Sequence, residues 1–310
     1  MAKHIVVVGS LNMDLVVRAA HLPQAGETIL GSDFRTFPGG KGANQAVAAA
    51  RLGGTVKMIG RVGADDFGNA LLQNAAADGV DTTYLLQDSE ASTGVALITV
   101  DSAGQNTIVV ASGANGRLTA EDVTNAEEAF RGAAVLLLQL ESPLTAVGRA
   151  IELAKQHGAK VILNPAPAQG LEATLLSGVD YLIPNQTELA LLTGIEHIPD
   201  ALSALHRWGV RCVIVTLGGE GALLVENGVQ IHLPAYRVPV VDTTAAGDAF
   251  VGAFAVALTE GLTPRQAVEW GNAAGALAVT RAGAQPSLPT RQEFDRLIKA
   301  VNISAASNCC

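Results

Sequence analysis

Short apolar runs alternate with longer stretches of helical spacing along most of this chain of 310 residues. The apolar runs lie at residues 5–8, 57–59, 135–140, 161–163, 181–183 and 212–216. Their hydrophobicity is continuous, which is typical of strands covered on both faces. Stretches with helical spacing lie between them, at residues 44–52, 66–78, 121–131, 144–157, 188–192 and 201–208. This order predicts an α/β fold with a parallel sheet and helices on both faces.

Two segments, residues 15–38 and 92–114, break this rhythm. Both alternate apolar and polar residues and contain turn formers, and residues 95–100 and 107–111 have the pattern of a β-hairpin. We expect these insertions to form a small sheet outside the main one, as a lid. The sequence contains no linker, repeat or low-complexity segment, so we predict a single domain over residues 1–310 that carries this lid.

Composition and charge exclude several classes of partner. The net charge is −9, and no run of Lys or Arg could follow a phosphate backbone, so we expect no nucleic-acid partner. No apolar run reaches the roughly 18 residues of a membrane span, and the first residues lack the pattern of a signal peptide. We therefore expect a soluble, cytoplasmic protein. Cys212 lies in an apolar run, and Cys309 and Cys310 are adjacent, a pattern typical of a reducing compartment.

The stretch from Val240 to Phe250 carries the most chemical information. We expect a strand to end at Val241 and an alanine-rich helix to begin near Asp248. Backbone amides at a helix start lack internal partners, so the small residues Ala245, Ala246 and Gly247 would leave an anion site. Asp248 has two interpretations at this point. It is either a base that takes a hydroxyl proton during phosphoryl transfer, or an ordinary helix cap.

Other polar residues follow predicted strands. Asn12 and Asp14 follow the first strand, where Asn-x-Asp offers a donor and an acceptor to vicinal hydroxyls. An Asx turn is the alternative. The run from Gly39 to Gly42 lacks the spacing of a P-loop. These glycines either let a sugar approach the backbone closely, with Asn44 bonding its hydroxyls, or form a tight turn before a helix.

Two of these stretches resemble the signatures of one enzyme family. Residues 242–248, Asp-Thr-Thr-Ala-Ala-Gly-Asp, resemble the second signature of the ribokinase-like (PfkB) carbohydrate kinases. Residues 39–46, Gly-Gly-Lys-Gly-Ala-Asn-Gln-Ala, resemble the first. Both motifs are long, they occur in the right order about 200 residues apart, and the similarity extends from Gly9 to the region of Ser287.

The resemblance implies a ribokinase-like three-layer α/β/α sandwich with a small β-sheet lid. It implies transfer of the ATP γ-phosphate, with Mg²⁺, to the 5-hydroxyl of D-ribose. The alternatives are 2-deoxyribose, another pentose or a nucleoside as the acceptor, or a non-catalytic sugar-binding regulator. The resemblance also implies K⁺ or a similar monovalent cation as an activator, and a homodimer formed through the lid.

The resemblance further assigns roles to individual residues. Catalysis would use Asp248 with the amides of Gly247, Ala246 and Ala245. The sugar contacts would be Asn12, Met13, Asp14, Gly40, Lys41, Gly42, Asn44, Glu141 and Asp248. The nucleotide contacts would be Asn185, Thr216, Leu217, Gly218, Gly219, Glu220, Gly221, Gly247 and Asn272. The monovalent-cation site would use Asp242, Thr244, Ala278, Arg281, Gly283 and Ser287, and Asn185 and Glu188 would hold Mg²⁺ through water.

Overall fold

A computed structural model of the chain describes residues 3–307, with side chains as far as residue 300. Cys309 and Cys310 lie outside the described residues, whereas Cys212 is buried, as its apolar context predicts. Within residues 3–307, no helix is both long enough and apolar enough to span a bilayer.

The described chain contains thirteen strands. They are β1 (His4–Val8), β2 (Asn12–Arg18), β3 (Asp33–Gly39), β4 (Val56–Gly63), β5 (Val80–Asp88), β6 (Gly94–Val100), β7 (Asn106–Ala111), β8 (Ala133–Leu138), β9 (Lys160–Leu163), β10 (Tyr181–Leu182), β11 (Cys212–Thr216), β12 (Ala222–Glu226) and β13 (Val229–Leu233). Nine of them form one sheet in the order β13-β12-β11-β10-β9-β8-β1-β4-β5. The pairs from β11 to β5 are parallel, and β12 and β13 continue the sheet with antiparallel pairs.

A separate sheet of four strands has the order β3-β2-β6-β7. Its strands come from the two insertions, and β6 and β7 form the predicted hairpin. β2 pairs with β3 in antiparallel and with β6 in parallel orientation, so β2 joins the two insertions. The predicted small sheet is therefore confirmed, and it begins at Asn12, earlier than expected.

Ten α-helices connect the strands in the described chain. They are α1 (Lys41–Arg51), α2 (Asp66–Ala77), α3 (Ala120–Asn125), α4 (Leu144–Gln156), α5 (Ala173–Leu176), α6 (Gln186–Thr193), α7 (Ile198–Arg207), α8 (Ala246–Thr259), α9 (Pro264–Ala278) and α10 (Arg291–Ser307). Short 3₁₀ turns supplement them, one of which, Glu127–Phe130, follows α3 where we predicted a single helix.

Alternate residues of the central strands face two different cores. On β1, Ile5 and Val7 pack with α1, α2, α8, α9 and α10 on one face of the sheet. Val6 and Val8 pack with α3, α4, α6 and α7 on the other face. Side chains alternate across a strand, so a strand with two buried faces must be apolar throughout. The predicted three-layer α/β/α sandwich is confirmed.

The strand predicted to end at Val241 is wrong. Residues 234–241 have no strand partner, and Val240 and Val241 are 66% and 64% exposed. The segment is instead attached by its backbone, since the amide of Val241 donates to Val279 O at 2.8 Å. Two adjacent valines after a proline have the composition of a buried strand, but here they lie on the surface before α8.

Small residues bring α1 and α8 unusually close together. A Cβ atom at Gly252 of α8 would lie 2.7 Å from Ala48 Cβ and 3.0 Å from the backbone of Ala49 and Gln45. Such a distance is possible only because residue 252 has no side chain. This close packing places the first turn of α1, with Asn44 and Gln45, beside the first turn of α8.

Candidate active site

A cleft of about 820 Å³ lies between the main sheet and the small sheet. The first signature, the second signature and the lid strands all contribute to its walls. Its polar lining includes Asn12, Asp14, Lys41, Asn44, Asn106, Ser112, Asn115, Glu141, Ser142, Gln169, Thr243, Thr244 and Asp248. Residues that are more than 200 positions apart in the sequence therefore meet at one cavity, as the resemblance implies.

Asp248 lies in the first turn of α8 and is 7% exposed. Its Oδ2 accepts a hydrogen bond from Asn44 Nδ2 at 2.9 Å, and its Oδ1 accepts one from Gln45 Nε2 at 3.0 Å. The N-cap position belongs to Ala245, in a left-handed conformation with φ 58°, and no side chain caps the helix. The helix-cap interpretation of Asp248 is therefore wrong.

Competing effects act on the acidity of Asp248. Burial raises the pKa of this carboxyl above its ordinary value, and the nearby Glu141 adds to the increase. The charge of Lys41 and the hydrogen bonds from Asn44 and Gln45 oppose it, without cancelling it. A carboxylate whose pKa is raised in this way is a stronger base than an exposed aspartate.

Asn12 and Asp14 lie on β2 rather than in a turn, so the Asx-turn alternative is wrong. Asn12 Oδ1 accepts a hydrogen bond from Asn115 Nδ2 at 2.7 Å, which fixes its amide in the cleft wall. Asp14 is 8% exposed, and burial followed by the charges of Glu141 and Asp248 raises its pKa to about 7. Met13, between them, belongs to the hydrophobic core and does not line the cleft.

Glu141 connects the sheet edge to the start of α1. Its Oε2 accepts hydrogen bonds from Ser10 Oγ and from the amide of Lys41, the latter at 3.0 Å. Burial alone would lower the pKa of the Lys41 ammonium group. The charges of Asp248, Glu141, Glu188 and Asp14 outweigh burial and raise it. Lys41 is therefore a cation influenced by four carboxylates, three of which line the cleft.

The glycines of the first signature serve the packing of the chain itself. A Cβ atom at Gly39 would overlap the Asp14 carboxylate, one at Gly40 would lie 2.7 Å from Asn12 N, and one at Gly42 would lie 2.5 Å from Ser10 N. Gly40 also has φ 86°, which favours glycine. The tight-turn interpretation is therefore correct, and close approach of a sugar stays a prediction. Gly42 is absent from the lining of the cleft.

The N-terminus of α8 has room for an anion. A Cβ atom at Gly247 would meet nothing within 4 Å. The amide of Ala246 donates to Thr243 O at 3.3 Å, whereas those of Ala245 and Gly247 have no acceptor within residues 3–300. Two of the three predicted amides are thus free to bind a phosphate oxygen.

The residues expected to bind the nucleotide lie outside this cleft. Residues 216–221 form the turn between β11 and β12, and Asn185 pairs with Thr216 in an isolated bridge. Asn185 and Glu188 form a capping box at the start of α6, with Glu188 N donating to Asn185 Oδ1 at 2.7 Å. Burial raises the pKa of Glu188 above its ordinary value, and the hydrogen bond from the amide of Asn185 and the charge of Lys41 oppose this increase only in part.

Asn272 has partners within the protein. Its Nδ2 donates to Leu233 O at 3.0 Å and to Pro234 O at 3.2 Å, which ties α9 to the end of β13. The side chain is 7% exposed. A contact of Asn272 with the nucleotide stays a prediction.

Asp242 connects the second signature to the predicted cation loop. Its Oδ2 accepts a hydrogen bond from the amide of Gly283 at 2.9 Å, and its Oδ1 accepts two from Thr244. Burial would raise the pKa of Asp242, but these hydrogen bonds lower it below its ordinary value. A charged carboxylate thus contacts the predicted cation loop at Gly283, and the monovalent-cation site stays a prediction. Arg281 pairs with Glu293, and Ser287 donates to Ala284 O, so their side chains already have partners.

Several buried polar residues of the site were not predicted from the sequence. They are Ser10, Gln45, Asn115, Gln139 and Ser142, together with the partly buried Asn164. Gln45 lies inside the first signature, which could have drawn attention to it, whereas the others lie in segments without a motif. Asn44 Oδ1 and Ser142 Oγ have no partner within residues 3–300, and both residues line the cleft, so these atoms are free to bond a ligand.

The chain is similar to proteins of known activity. The model of the pfkB family carbohydrate kinases matches residues 2–291. A ribokinase from Haemophilus influenzae is 43% identical over 94% of this chain and 97% of its own length. A deoxyribokinase from Salmonella typhi is 39% identical over 95% of this chain and 98% of its own length.

Solved structures agree with these relatives. The Arabidopsis thaliana ribokinase complexed with ribose and ATP superposes with a TM-score of 0.88 at 36% identity, covering 96% of this chain and 99% of that one. The similarity to these carbohydrate kinases therefore covers nearly the whole chain. It agrees with the fold, with the two signatures and with the cleft that they line. The chain belongs to the pfkB family of carbohydrate kinases.

Proposed function

We propose that this protein transfers the γ-phosphate of ATP to the 5-hydroxyl of D-ribose, giving D-ribose 5-phosphate and ADP. The observation that carries the proposal is the position of Asp248. Its carboxylate is buried at the start of α8, is held by Asn44 and Gln45, and lines the same cleft as Asn12, Asp14 and Glu141. The similarity to a ribokinase and to a ribose–ATP complex supports ribose as the sugar.

Asp248 acts as the general base in this proposal. The polar groups of the cleft wall hold the sugar with its 5-hydroxyl toward Asp248, which accepts the proton as the oxygen attacks the γ-phosphorus. A bond forms between that oxygen and phosphorus, and the bond from phosphorus to the bridging oxygen of ADP breaks. The free amides of Ala245 and Gly247, with the ammonium group of Lys41, stabilise the negative charge that develops on the phosphoryl group.

The nucleotide would lie along the turn at residues 216–221 and point its phosphates toward the start of α8. Mg²⁺ bound to the ATP phosphates would neutralise part of their charge. Asn185 and Glu188 fit a role in holding this ion through water, because Mg²⁺ retains several waters and prefers oxygen ligands such as the amide and carboxylate at the start of α6. The Asp242 loop fits K⁺ or a similar cation. An activity that rises when K⁺ replaces choline in the buffer would support that site.

Lid closure and cellular location complete the proposal. The chain would act as a single domain with a lid formed by residues 15–38 and 92–114. This lid would close on the sugar and exclude water, which limits ATP hydrolysis. Its strands also supply the surface for a homodimer. We propose that the enzyme acts in the cytoplasm.

Substitution of Asp248 by Asn tests the central role. Without a base, kcat for ribose phosphorylation should fall roughly 100-fold or more, while KM for ribose changes much less. Coupled detection of ADP release measures both constants. Asp200→Asn is the matched control, since this aspartate is an exposed partner of His197 on α7 and should leave kcat unchanged. A near-normal kcat in Asp248→Asn would refute the proposal.

A second acceptor, 2-deoxyribose, is favoured by the similarity to the deoxyribokinase. Asp14 is the residue that we expect to discriminate, because a buried carboxylate that bonds a hydroxyl strongly disfavours an analogue that lacks it. The values of kcat/KM for ribose, 2-deoxyribose and adenosine with the same preparation would decide. A higher value for 2-deoxyribose would assign that sugar, and no turnover of any of them would favour a non-catalytic regulator.

A further inference from the structure

Gln45 is a fully buried amide directly behind the proposed base. It lies in the first turn of α1, has 0% exposure, and does not line the cleft. Its Nε2 donates to Asp248 Oδ1 at 3.0 Å and to Asn164 Oδ1 at 3.2 Å. Its Oε1 accepts from Gln139 Nε2 at 2.6 Å. Three amide side chains, those of the buried Gln45 and Gln139 and of the partly buried Asn164, therefore form one chain of hydrogen bonds that ends on Asp248.

The backbone fixes the direction of this chain. Asn164 Nδ2 donates to the carbonyl oxygen of Ile183 at 2.9 Å, and a carbonyl oxygen can only accept. The oxygen of the Asn164 amide must therefore face Gln45, so Gln45 presents its NH₂ group to Asn164. The same NH₂ group then faces Asp248, and the oxygen of Gln45 faces Gln139. An acceptor at the carboxyl end of the sheet thus determines which atom of Gln45 contacts Asp248.

We infer that Gln45 is a positioning residue for the base, which orients the Asp248 carboxylate and favours its ionised form while touching no substrate. This inference rests on the proposed role of Asp248. The two oxygens of Asp248 have different neighbours, since Asn44 bonds Oδ2 from the cleft wall and Gln45 bonds Oδ1 from the interior. Holding both oxygens prevents the carboxylate from rotating away from an incoming hydroxyl.

Loss of the Gln45 donor should change the pH dependence of catalysis in a definite direction. Each hydrogen bond to the charged form lowers the pKa of a carboxyl, so its removal raises the pKa of Asp248. The base then stays protonated up to a higher pH. The acidic limb of kcat should move upward by about one pH unit, which corresponds to a roughly tenfold lower kcat on that limb.

The experiment compares Gln45→Met and Gln139→Met with the parent protein over pH 5–9, using ADP release at saturating ribose and ATP. Methionine matches glutamine in length but cannot donate. In Gln45→Met the acidic limb of the pH profile of kcat should shift upward. KM for ribose should change less than about twofold, because residue 45 does not reach the cleft. In Gln139→Met, Asn164 still orients Gln45, so the shift should be clearly smaller.

The outcomes separate this inference from the function on which it rests. An unshifted limb in Gln45→Met, or an equal shift in Gln139→Met, would overturn the role of Gln45, since a packing defect lowers kcat at every pH. Full activity in Asp248→Asn would instead refute the proposed function. If Gln45→Met fails to fold in a thermal unfolding assay, Gln45→Asn replaces it. Its shortened amide is withdrawn from Asp248, so the same shift is expected and its absence is equally decisive.

Discussion

At the scale of single residues, Asp14 shows that the cleft is arranged for a ligand rather than for stability. Burial and two neighbouring carboxylates, Glu141 and Asp248, raise its pKa to about 7. Near neutral pH, ionisation of the buried Asp14 carboxylate therefore costs stability. Sugar hydroxyls that donate to these oxygens would relieve the cost, a common compromise between stability and function.

We predict that Asp14→Asn stabilises the protein more at pH 8 than at pH 5. An aspartate with a raised pKa in the folded state costs nothing below its unfolded pKa of 3.8 and destabilises increasingly as the pH rises toward 7. Asparagine does not ionise, so the variant lacks this pH-dependent destabilisation. The gain in the free energy of unfolding at pH 8 should exceed that at pH 5 by an amount on the order of 2 kcal/mol. Urea unfolding at the two pH values measures it, and an equal gain at both would contradict the prediction.

The sequence predicted those site residues whose chemistry is visible in a motif. Asn12, Asp14 and Asp248 come together at one cleft, and so does Glu141, which only the family resemblance assigned to the site. Gln45 and Gln139 were not predicted, since a buried amide looks like any other polar residue until its partners are known. For Gly39 the sequence left two roles open, and only the structure shows its close contact with Asp14 of the same chain.

At the scale of elements, the spacing between α1 and α8 sets the geometry around Asp248. The helices touch where Gly252 faces Ala48 and Ala49, one to two turns from Asp248. This contact explains the use of small residues: a bulkier pair would separate Asn44 and Gln45 from the carboxylate that they hold. Both helices were predicted from the sequence, but their distance depends on a pairing that no single segment reveals.

We therefore predict that Gly252→Ala lowers both stability and activity. The added Cβ would lie 2.7 Å from Ala48 Cβ and 3.0 Å from backbone atoms, so α1 must move. Overpacking of this kind costs roughly 1–3 kcal/mol, and kcat should fall severalfold as the bonds to Asp248 lengthen.

Gly148→Ala in α4 is the matched control, because a Cβ atom there meets nothing within 4 Å. The same substitution should stabilise that helix by about 0.5–1 kcal/mol and leave kcat unchanged. Thermal unfolding and ADP release measure both variants. Equal effects of the two substitutions would show that helix spacing does not control the site.

The prediction of elements succeeded where hydrophobicity and burial agree. Residues 212–216 were predicted with the observed bounds because every position but the last is buried. The strand expected to end at Val241 failed since those valines are exposed. β5 was missed because its burial is mixed along its length, so it lacks the continuous hydrophobicity of the central strands.

At the scale of the whole molecule, the small sheet has two faces with different roles. Ala96, Ile98, Ile108 and Val110 line the cleft. Leu97 and Val109 alternate with them along β6 and β7 and pair with each other, so they share the opposite face. They are 51% and 65% exposed. Every residue of β7 is exposed, and β7 is the edge strand of its sheet. An exposed apolar edge strand is a template for pairing with another chain.

We predict that the protein is a dimer that meets through this outer face. Light scattering after size exclusion should give about twice the 31.7 kDa of one chain. Val109→Lys places a charge in the contact and should produce the mass of a single chain. Val229→Lys is the control, since Val229 is 61% exposed on β13, at the far edge of the other sheet, and its substitution should leave the dimer intact. A monomeric parent protein would show that there is no such dimer. A dimer that survives Val109→Lys would show that the subunits meet through another surface.

Ile108 and Val110, which line the cleft, flank Val109 on β7. The monomeric Val109→Lys variant should therefore also show a higher KM for ribose, which would link assembly to the site.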